Sequence, residues 1–280
     1  MTYSIVARDP ETGELGVAVQ SRAFGTGGAV PWAAPGVGAV ATQSFTERSY
    51  GPLGLELMRA GKTAGEALAA LLTADADREI RQVGMVDADG RAAAHTGAEC
   101  IASAGHLVAE GFTVQGNIME SERVWPALAE AFEAATGSLP WRLLLALDAA
   151  EAAGGDWRGR QAAGLLVVPA EGQPWERVSD LRVDDHPDPL GELRRLLRLE
   201  EGYRAQRRTE ERAAAAAAGG LSELDVVWAR VLDAAHAGDL ERARGLLRPL
   251  LEEEPRWAHY ARALGARGVL PRSEELLDLE

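Results

Sequence analysis

The chain begins with the segment MTYSIVARD (residues 1–9), in which a hydroxyl residue directly precedes a run typical of a β-strand. Removal of Met1 would give Thr2 a free α-amine beside its own hydroxyl. A hydroxyl is a weak nucleophile until a base takes its proton, and the terminal amine of a threonine can be that base. The segment therefore predicts a candidate N-terminal nucleophile, although proteins that are not enzymes also begin with Met-Thr.

The amino-acid composition disfavours several classes of function. The 280 residues are 46% hydrophobic, enough for one large core or for a core with a small appendage, and the formal charge of −14 disfavours a nucleic-acid groove. Lys62 is the only lysine, which disfavours Schiff-base chemistry. No leader peptide and no membrane-spanning apolar run is apparent, so the expectation is a cytoplasmic protein that contacts neither membranes nor nucleic acids.

Residues 1–199 alternate between strand signals and helix pairs. Turn residues between short apolar runs predict hairpins around residues 9–13 and 87–90. A capping box at residues 63–66 predicts the start of a helix. Strands are predicted at 4–8, 16–21, 36–43, 81–86, 91–96, within 106–117, at 165–168 and at 178–183, and helices at 53–60, 63–72, 122–135 and 139–153. This order is not the βαβ alternation of a doubly wound sheet, and it indicates stacked antiparallel sheets covered by helix pairs.

The composition changes after Pro189. A charged helix is predicted over residues 190–212, followed by an alanine run that ends at two glycines, 219–220. Three further helices are predicted to start near residues 222, 239 and 255. We therefore expect a first domain over residues 1–199, a helical, alanine-rich linker over 200–220 and a small all-α domain over 221–280.

Several ordered motifs resemble the bacterial family called domain of unknown function 1028. The resemblance runs from Thr2 to about Leu197, and only Ser103 departs visibly, where such sequences often have Trp. It implies an α+β fold, the four-layer αββα antiparallel sandwich of N-terminal-nucleophile hydrolases, and attack on an amide by the processed terminal residue. It implies no particular substrate. The motifs that carry it are TYSIVARD (2–9), GVAVQS (16–21), VPWA (30–33), GAVATQ (38–43), AGH (104–106), QGN (115–117) and LRVDDH (181–186).

The tail is similar to a peptidoglycan-binding domain often appended to this family. The segments EPRW (254–257) and GVLP (268–271) carry that similarity. The helical pairing would equally suit a tetratricopeptide-like module that binds peptides or dimerises. A peptide or peptidoglycan-fragment ligand, and a homo-oligomer formed through the apolar stripe of the last helices, are the partners that these alternatives imply.

Two residues are the candidate catalytic groups once this fold is granted. Thr2 would attack through its hydroxyl, and Asn117 would donate to the developing oxyanion together with backbone amides. Ser4 is a competing nucleophile, but it could not share a residue with the terminal amine and is better explained as a hydrogen-bonded strand residue. Asn117 could instead be a turn residue that tolerates a left-handed backbone.

Four further residues could support the site. Ser21 and Gln43, each at a strand end, could position the amine, although ordinary strand-end hydrogen bonding explains both. His106 could orient substrate or relay protons, or it could simply be satisfied by a backbone carbonyl. Arg8 could line the pocket or pair with a carboxylate.

The segment DDHPD (184–188) contains enough ligand types to suggest a metal. Its members are nearly consecutive, however, and neighbouring strand residues point to opposite faces, so helix capping by Asp188 is the better interpretation. We therefore predict no metal and no organic cofactor. The function expected is hydrolysis of an amide in a small molecule or short peptide, and the alternative is a non-catalytic binding or scaffold protein with a degenerate site.

Overall fold

The computed structural model describes residues 2–206 and 223–278. It divides into two compact units, Met1–Leu197 and Arg198–Glu280. The predicted alanine run and its two glycines lie outside the described residues, as does Met1. Within the described ranges, no helix is both long and apolar enough to cross a membrane.

Strands of the first unit form two antiparallel sheets. The larger sheet has the order β10-β9-β2-β1-β8-β7 and the smaller has the order β3-β4-β5-β6. β1 lies in the interior of the larger sheet, where it pairs with β2 on one side and β8 on the other. The strand bounds are β1 Thr2–Arg8, β2 Leu15–Ser21, β3 Pro31–Ala34, β4 Gly38–Ser44, β5 Arg81–Asp87, β6 Ala92–Thr96, β7 Gly105–Ala109, β8 Phe112–Asn117, β9 Ala162–Val168 and β10 Ser179–Val183.

Helices cover the outer faces of both sheets. α1 and α2 share a buried core with the smaller sheet, and α3 and α4 share another with the larger sheet. The first unit is therefore a mixed α/β structure with antiparallel sheets. The helix bounds in the first unit, with α5 continuing into the second, are α1 Tyr50–Arg59, α2 Ala64–Ala74, α3 Val124–Ala134, α4 Leu139–Ala152 and α5 Pro189–Gln206.

Alternation along β1 determines what each of its faces contacts. Tyr3 and Ile5 belong to the core shared with α3 and α4, whereas Val6 belongs to the core between the two sheets. Because side chains alternate along a strand, Thr2 and Ser4 share the Val6 face. The contact between the sheets is therefore apolar at Val6 and polar at the Thr2 end.

Local signals account for most element boundaries. The capping box is confirmed: the Glu66 amide donates to the Thr63 hydroxyl at 3.2 Å, and the Thr63 amide donates to Glu66 at 2.9 Å. The third predicted strand begins at Gly38 rather than at Gly36, because Gly36 occupies a turn with φ of 65°. Strand β3 was not predicted, since its four residues carry no clear alternation.

The second unit is helical where it is described. Its helices pack around a core that includes the fully buried Val231, Leu247 and Leu276. The short last helix was not predicted, and the helix before it begins at Trp257 rather than Pro255. The helix bounds are α6 Glu223–His236, α7 Leu240–Glu253, α8 Trp257–Ala266 and α9 Ser273–Leu277.

Candidate active site

Thr2 is the first residue of an interior strand and is almost fully buried. In the sheet it is paired with Ser21 of β2 and with Asn117 of β8. Its hydroxyl donates to the Ser21 hydroxyl at 3.1 Å. Two predicted site residues, from positions far apart in the sequence, therefore flank the predicted nucleophile.

Four buried amide side chains surround the Thr2 end of the space between the sheets: Gln43, Gln82, Gln115 and Asn117, here called the intersheet amide cluster. The Thr2 carbonyl accepts hydrogen bonds from Gln43 Nε2 at 3.1 Å and from Asn117 Nδ2 at 3.4 Å. The same two nitrogens donate to Gln82 Oε1, at 2.7 and 2.8 Å respectively. Thr2 is thus held by both sheets at once.

Gln82 is the centre of this cluster, and sequence reasoning missed it. Its Nε2 is within hydrogen-bond distance of the Gly116 carbonyl (2.8 Å) and the Thr96 hydroxyl (3.0 Å). Thr96 in turn contacts His106 Nδ1 at 2.8 Å. A buried glutamine with this many partners is recognisable only once the two sheets are brought together, since its sequence neighbours form an unremarkable strand.

His106 connects to Thr2 only through intervening side chains. The path runs from Thr96 to Gln82 and then through Gln43 or Asn117 to the Thr2 carbonyl, so His106 does not contact the nucleophile directly. Burial lowers the pKa of the half-buried His106, and the nearby His95 lowers it further. His106 is therefore held mainly neutral near neutral pH, which suits a hydrogen-bonding role more than permanent charge.

Backbone strain is concentrated where two strands end at this cluster. Of the non-glycine residues that the structure describes, only Ser44, Ile118 and Arg272 have positive φ. Ser44 (φ 70°) follows Gln43, and Ile118 (φ 55°) follows Asn117. A positive φ is costly for a β-branched residue, and such strain is often found at functional sites.

The hydroxyl of Ser4 is fully used inside the protein. It donates to Gln43 Oε1 at 2.7 Å and accepts from Gln115 Nε2 at 2.6 Å. Ser4 is also fully buried. These contacts fit the structural interpretation of Ser4, and they leave Thr2 as the candidate nucleophile on this face of β1.

The side-chain amide of Asn117 is already used in hydrogen bonds within the protein, so it is not available to donate to an oxyanion. Its side-chain nitrogen carries two hydrogens, and the Thr2 carbonyl and Gln82 Oε1 lie within hydrogen-bond distance of that nitrogen. Its backbone lies in β8 and not in a turn, so the turn interpretation is wrong. Asn117 is placed to hold Thr2 in position.

Asp156 is a second residue that sequence reasoning missed. The Asp156 side chain is fully buried and is paired with Arg158 at 2.7 Å. It also accepts from the Arg22 amide at 3.1 Å, and its backbone bridges to Met119. The segment around Asp156 therefore crosses the end of the sheet at which β1 begins.

The prediction that Arg8 lines the site is wrong. It is the last residue of β1, and at about 3.3 Å per residue it lies about 20 Å from Thr2. Its neighbours are turn glycines at the opposite end of the sheet, including Gly13 and Gly90. Strand direction therefore excludes Arg8 from the environment of Thr2.

The acidic segment at residues 184–188 is part of the entry to α5. Asp185 accepts from the Gln161 side chain at 2.9 Å, and the Gly191 amide donates to Asp188 at 3.3 Å. The latter contact agrees with the predicted capping role of Asp188. No cluster of three or more candidate metal ligands occurs in the part of the chain that the structure describes.

A family model described as a family of unknown function, DUF1028, matches residues 2–193. The chain belongs to the DUF1028 family. The match covers β1 to the start of α5, so the sequence resemblance is confirmed at the level of the family. None of the curated proteins matches the chain.

Solved structures extend the comparison. The crystal structure of a DUF1028 protein from Silicibacter pomeroyi is 33% identical, covering 70% of this chain and 87% of that one, with a TM-score of 0.64. Two more distant matches are Anbu proteins. The Gly-1 mutant from Hyphomicrobium sp. strain MC1 is 14% identical (70% and 93% covered, TM-score 0.37), and the ancestral β-subunit from Yersinia bercovieri is 13% identical (70% and 92%, 0.32).

Outside the DUF1028 match, the second unit contains an aromatic cavity of about 410 Å³. Trp228, Trp257 and Tyr260 line it, with ring centroids 4.9–5.5 Å apart and each pair inclined by 53–83°. The indole nitrogen of Trp228 is buried without a hydrogen-bond partner among the described residues. The three inclined rings therefore form one side of the cavity.

Proposed function

We propose that this DUF1028 protein is an N-terminal-nucleophile amidohydrolase in which Thr2 attacks an amide carbonyl of a small molecule or short peptide. The observation that carries the proposal is the placement of Thr2 at the start of an interior strand, with its hydroxyl on Ser21 and its carbonyl on two side chains of the intersheet amide cluster. The helix-sheet-sheet-helix packing of the first unit supports an αββα sandwich of N-terminal-nucleophile type.

The chemistry requires removal of Met1. The free amine of Thr2 would take the hydroxyl proton as oxygen attacks the amide carbon, and it would return that proton to the departing amine. An ester between Thr2 and the acyl group would remain. Water, deprotonated by the same amine, would then release the acid and restore the threonine. These reaction steps require neither a metal nor an organic cofactor.

The surrounding residues would act through position. Gln43 and Asn117 would fix the Thr2 carbonyl and thereby the direction of its hydroxyl and amine, while Ser21 would orient the hydroxyl. Since neighbours already engage the Asn117 amide, we assign the oxyanion chiefly to backbone amides.

Intact-mass measurement of untagged protein, with sequencing of its N-terminal peptide, is the first test. We expect a mass lacking Met1 and an amide hydrolysis that Thr2→Ala abolishes and Thr2→Ser retains in part, because serine keeps the hydroxyl and the amine. Thr12→Ala, which removes an exposed hydroxyl in the turn beyond the other end of β1, is the control. Retention of Met1 would remove the base and overturn the proposal.

A non-catalytic binding role is the second candidate, and the cavity of the second unit favours it. Its aromatic walls suit a peptide or a peptidoglycan fragment, since aromatic rings supply large apolar contact areas with polar edges. Titration of such fragments against the intrinsic tryptophan fluorescence tests this role. We expect Trp257→Ala to lose the response while the folding of the first unit stays unchanged.

A further inference from the structure

Exposed apolar side chains are gathered around the Thr2 end of the first unit. Four loops contribute one each: Phe24 (74% exposed), Phe45 (51%), Ile101 (48%) and Trp157 (60%), here called the apolar rim. Large apolar groups exposed together in loops mark a binding surface more often than a solvated one.

Backbone hydrogen bonds connect two of these loops to the strand that holds Thr2. The Trp157 amide donates to the Ile118 carbonyl at 3.5 Å, and the Ile118 amide donates to the Ile101 carbonyl at 3.2 Å. Ile118 directly follows Asn117, the β8 partner of Thr2. Trp157 and Ile101 therefore belong to the loops at the end of β8.

The other two members follow strands that also end at Thr2. Phe24 lies three residues after Ser21, the β2 partner of Thr2, and Phe45 lies two residues after Gln43, which donates to the Thr2 carbonyl. Asp156 accepts from the Arg22 amide, which ties the Phe24 loop to the Trp157 loop. The members of the apolar rim thus lie in loops next to strand ends that meet at the start of β1, on both sheets.

We propose, resting on the function proposed above, that the apolar rim selects amides whose acyl group is apolar, such as an aromatic or long aliphatic acid. The acyl group is the part of the substrate that stays on Thr2 through both steps, so the side chains around Thr2 must hold it longest. The side chains of the intersheet amide cluster already hydrogen-bond within the protein. They therefore offer few hydrogen bonds to a polar acyl chain. Burial of an apolar chain against the apolar rim supplies the affinity.

Binding to a Thr2→Ala variant tests the inference without turnover. The probes are the octanoyl and acetyl amides of one fluorogenic amine, titrated by calorimetry. We expect the octanoyl amide to bind about tenfold more tightly or better, because its additional methylenes leave water. Trp157→Ala or Phe24→Ala should remove most of this preference. Trp175→Ala, also 74% exposed but in the loop between β9 and β10 at the other end of the sheet, should leave it unchanged.

Turnover of the same amides by the protein with Thr2 separates the two proposals. Equal binding and equal hydrolysis of both amides would overturn the apolar selection and leave catalysis by Thr2 intact. Selective binding without any hydrolysis would overturn catalysis and leave the apolar ligand class standing. If sedimentation shows an oligomer that Trp157→Ala dissociates, and neither amide is preferred, the apolar rim is a subunit interface and the inference is wrong.

Discussion

At the scale of single residues, the candidate site depends on side chains that are polar, buried and paired. Thr2, Gln43, Gln82 and Asn117 are each almost fully buried. Every hydrogen-bonding atom left without its partner in such a place costs about 1–3 kcal/mol. The cost of disturbing one member is therefore larger than the value of any one of its hydrogen bonds.

Gln82→Leu is the most direct test of this dependence. The substitution keeps the side-chain size but removes the acceptor shared by Gln43 and Asn117 and the donor to the Gly116 carbonyl. We expect the free energy of unfolding to fall by about 2–3 kcal/mol, measured by chemical denaturation. Gln173→Leu, at an exposed position, is the control and should change stability by less than about 0.5 kcal/mol. Equal effects of the two would contradict the role given to Gln82.

The lowered pKa of His106 predicts how the stability of the fold depends on pH. Burial and His95 hold its pKa below the ordinary value of about 6.5 in the folded protein. The unfolded chain therefore binds the proton more readily, so stability is retained above about pH 6.5 and is lost as pH falls through the lower folded pKa.

We expect His106→Gln to flatten this part of the stability profile between neutral and mildly acidic pH, as measured by thermal unfolding. His259→Gln, which replaces an exposed histidine, should leave the profile unchanged. A wild-type profile that rises on acidification through this range would show that the sign is wrong.

At the scale of elements, the close approach of the two sheets is what brings the cluster together. Gly84 on β5 shows it: a Cβ there would collide with the side chains of Gln115 and Thr113 on β8. The absence of a side chain at Gly84 lets the Gln115 amide reach Ser4. Small residues in the facing strands thus determine how near the amides of the two sheets can come.

Gly84→Ala should therefore destabilise the protein by about 1–3 kcal/mol, because the sheets are too well packed to move apart without loss. Gly65→Ala in α2 is the matched control, since its nearest neighbour would be Ala93 at 3.9 Å. That substitution should stabilise by about 0.5–1 kcal/mol through the lower chain entropy of alanine. Thermal melts of both variants provide the measurement, and a harmless Gly84→Ala would argue against close sheet packing.

At the scale of the whole molecule, the two units have separate cores. Leu143 of α4 is fully buried in the first, and Leu247 of α7 is fully buried in the second. Each truncation to alanine should cost about 2–5 kcal/mol in the unit that contains it. In differential scanning calorimetry we expect Leu143→Ala and Leu247→Ala to lower different transitions. A single transition that both variants shift equally would show that the units unfold together.

The order of elements in the first unit could be predicted because its signals are local. The turn at residues 9–13 and the capping box at Thr63 specify structure within a few residues, and both occur as expected. β3 escaped prediction because four residues without alternation give no local signal. Thr2 could be proposed because its chemistry follows from its place beside Met1.

The family, the alternation of strands with helix pairs and the candidate nucleophile can all be predicted from the chain alone, since each depends on neighbouring residues. The packing of the sheets was needed to show that Gln82 binds the two side chains that hold the Thr2 carbonyl. It was also needed to show that Arg8 lies far from Thr2 and that Asn117 holds the threonine. These outcomes depend on strand direction and register, which pair residues more than a hundred positions apart. Hydrogen bonds between residues so far apart in the sequence depend on how the two sheets pack, and no local sequence pattern predicts them.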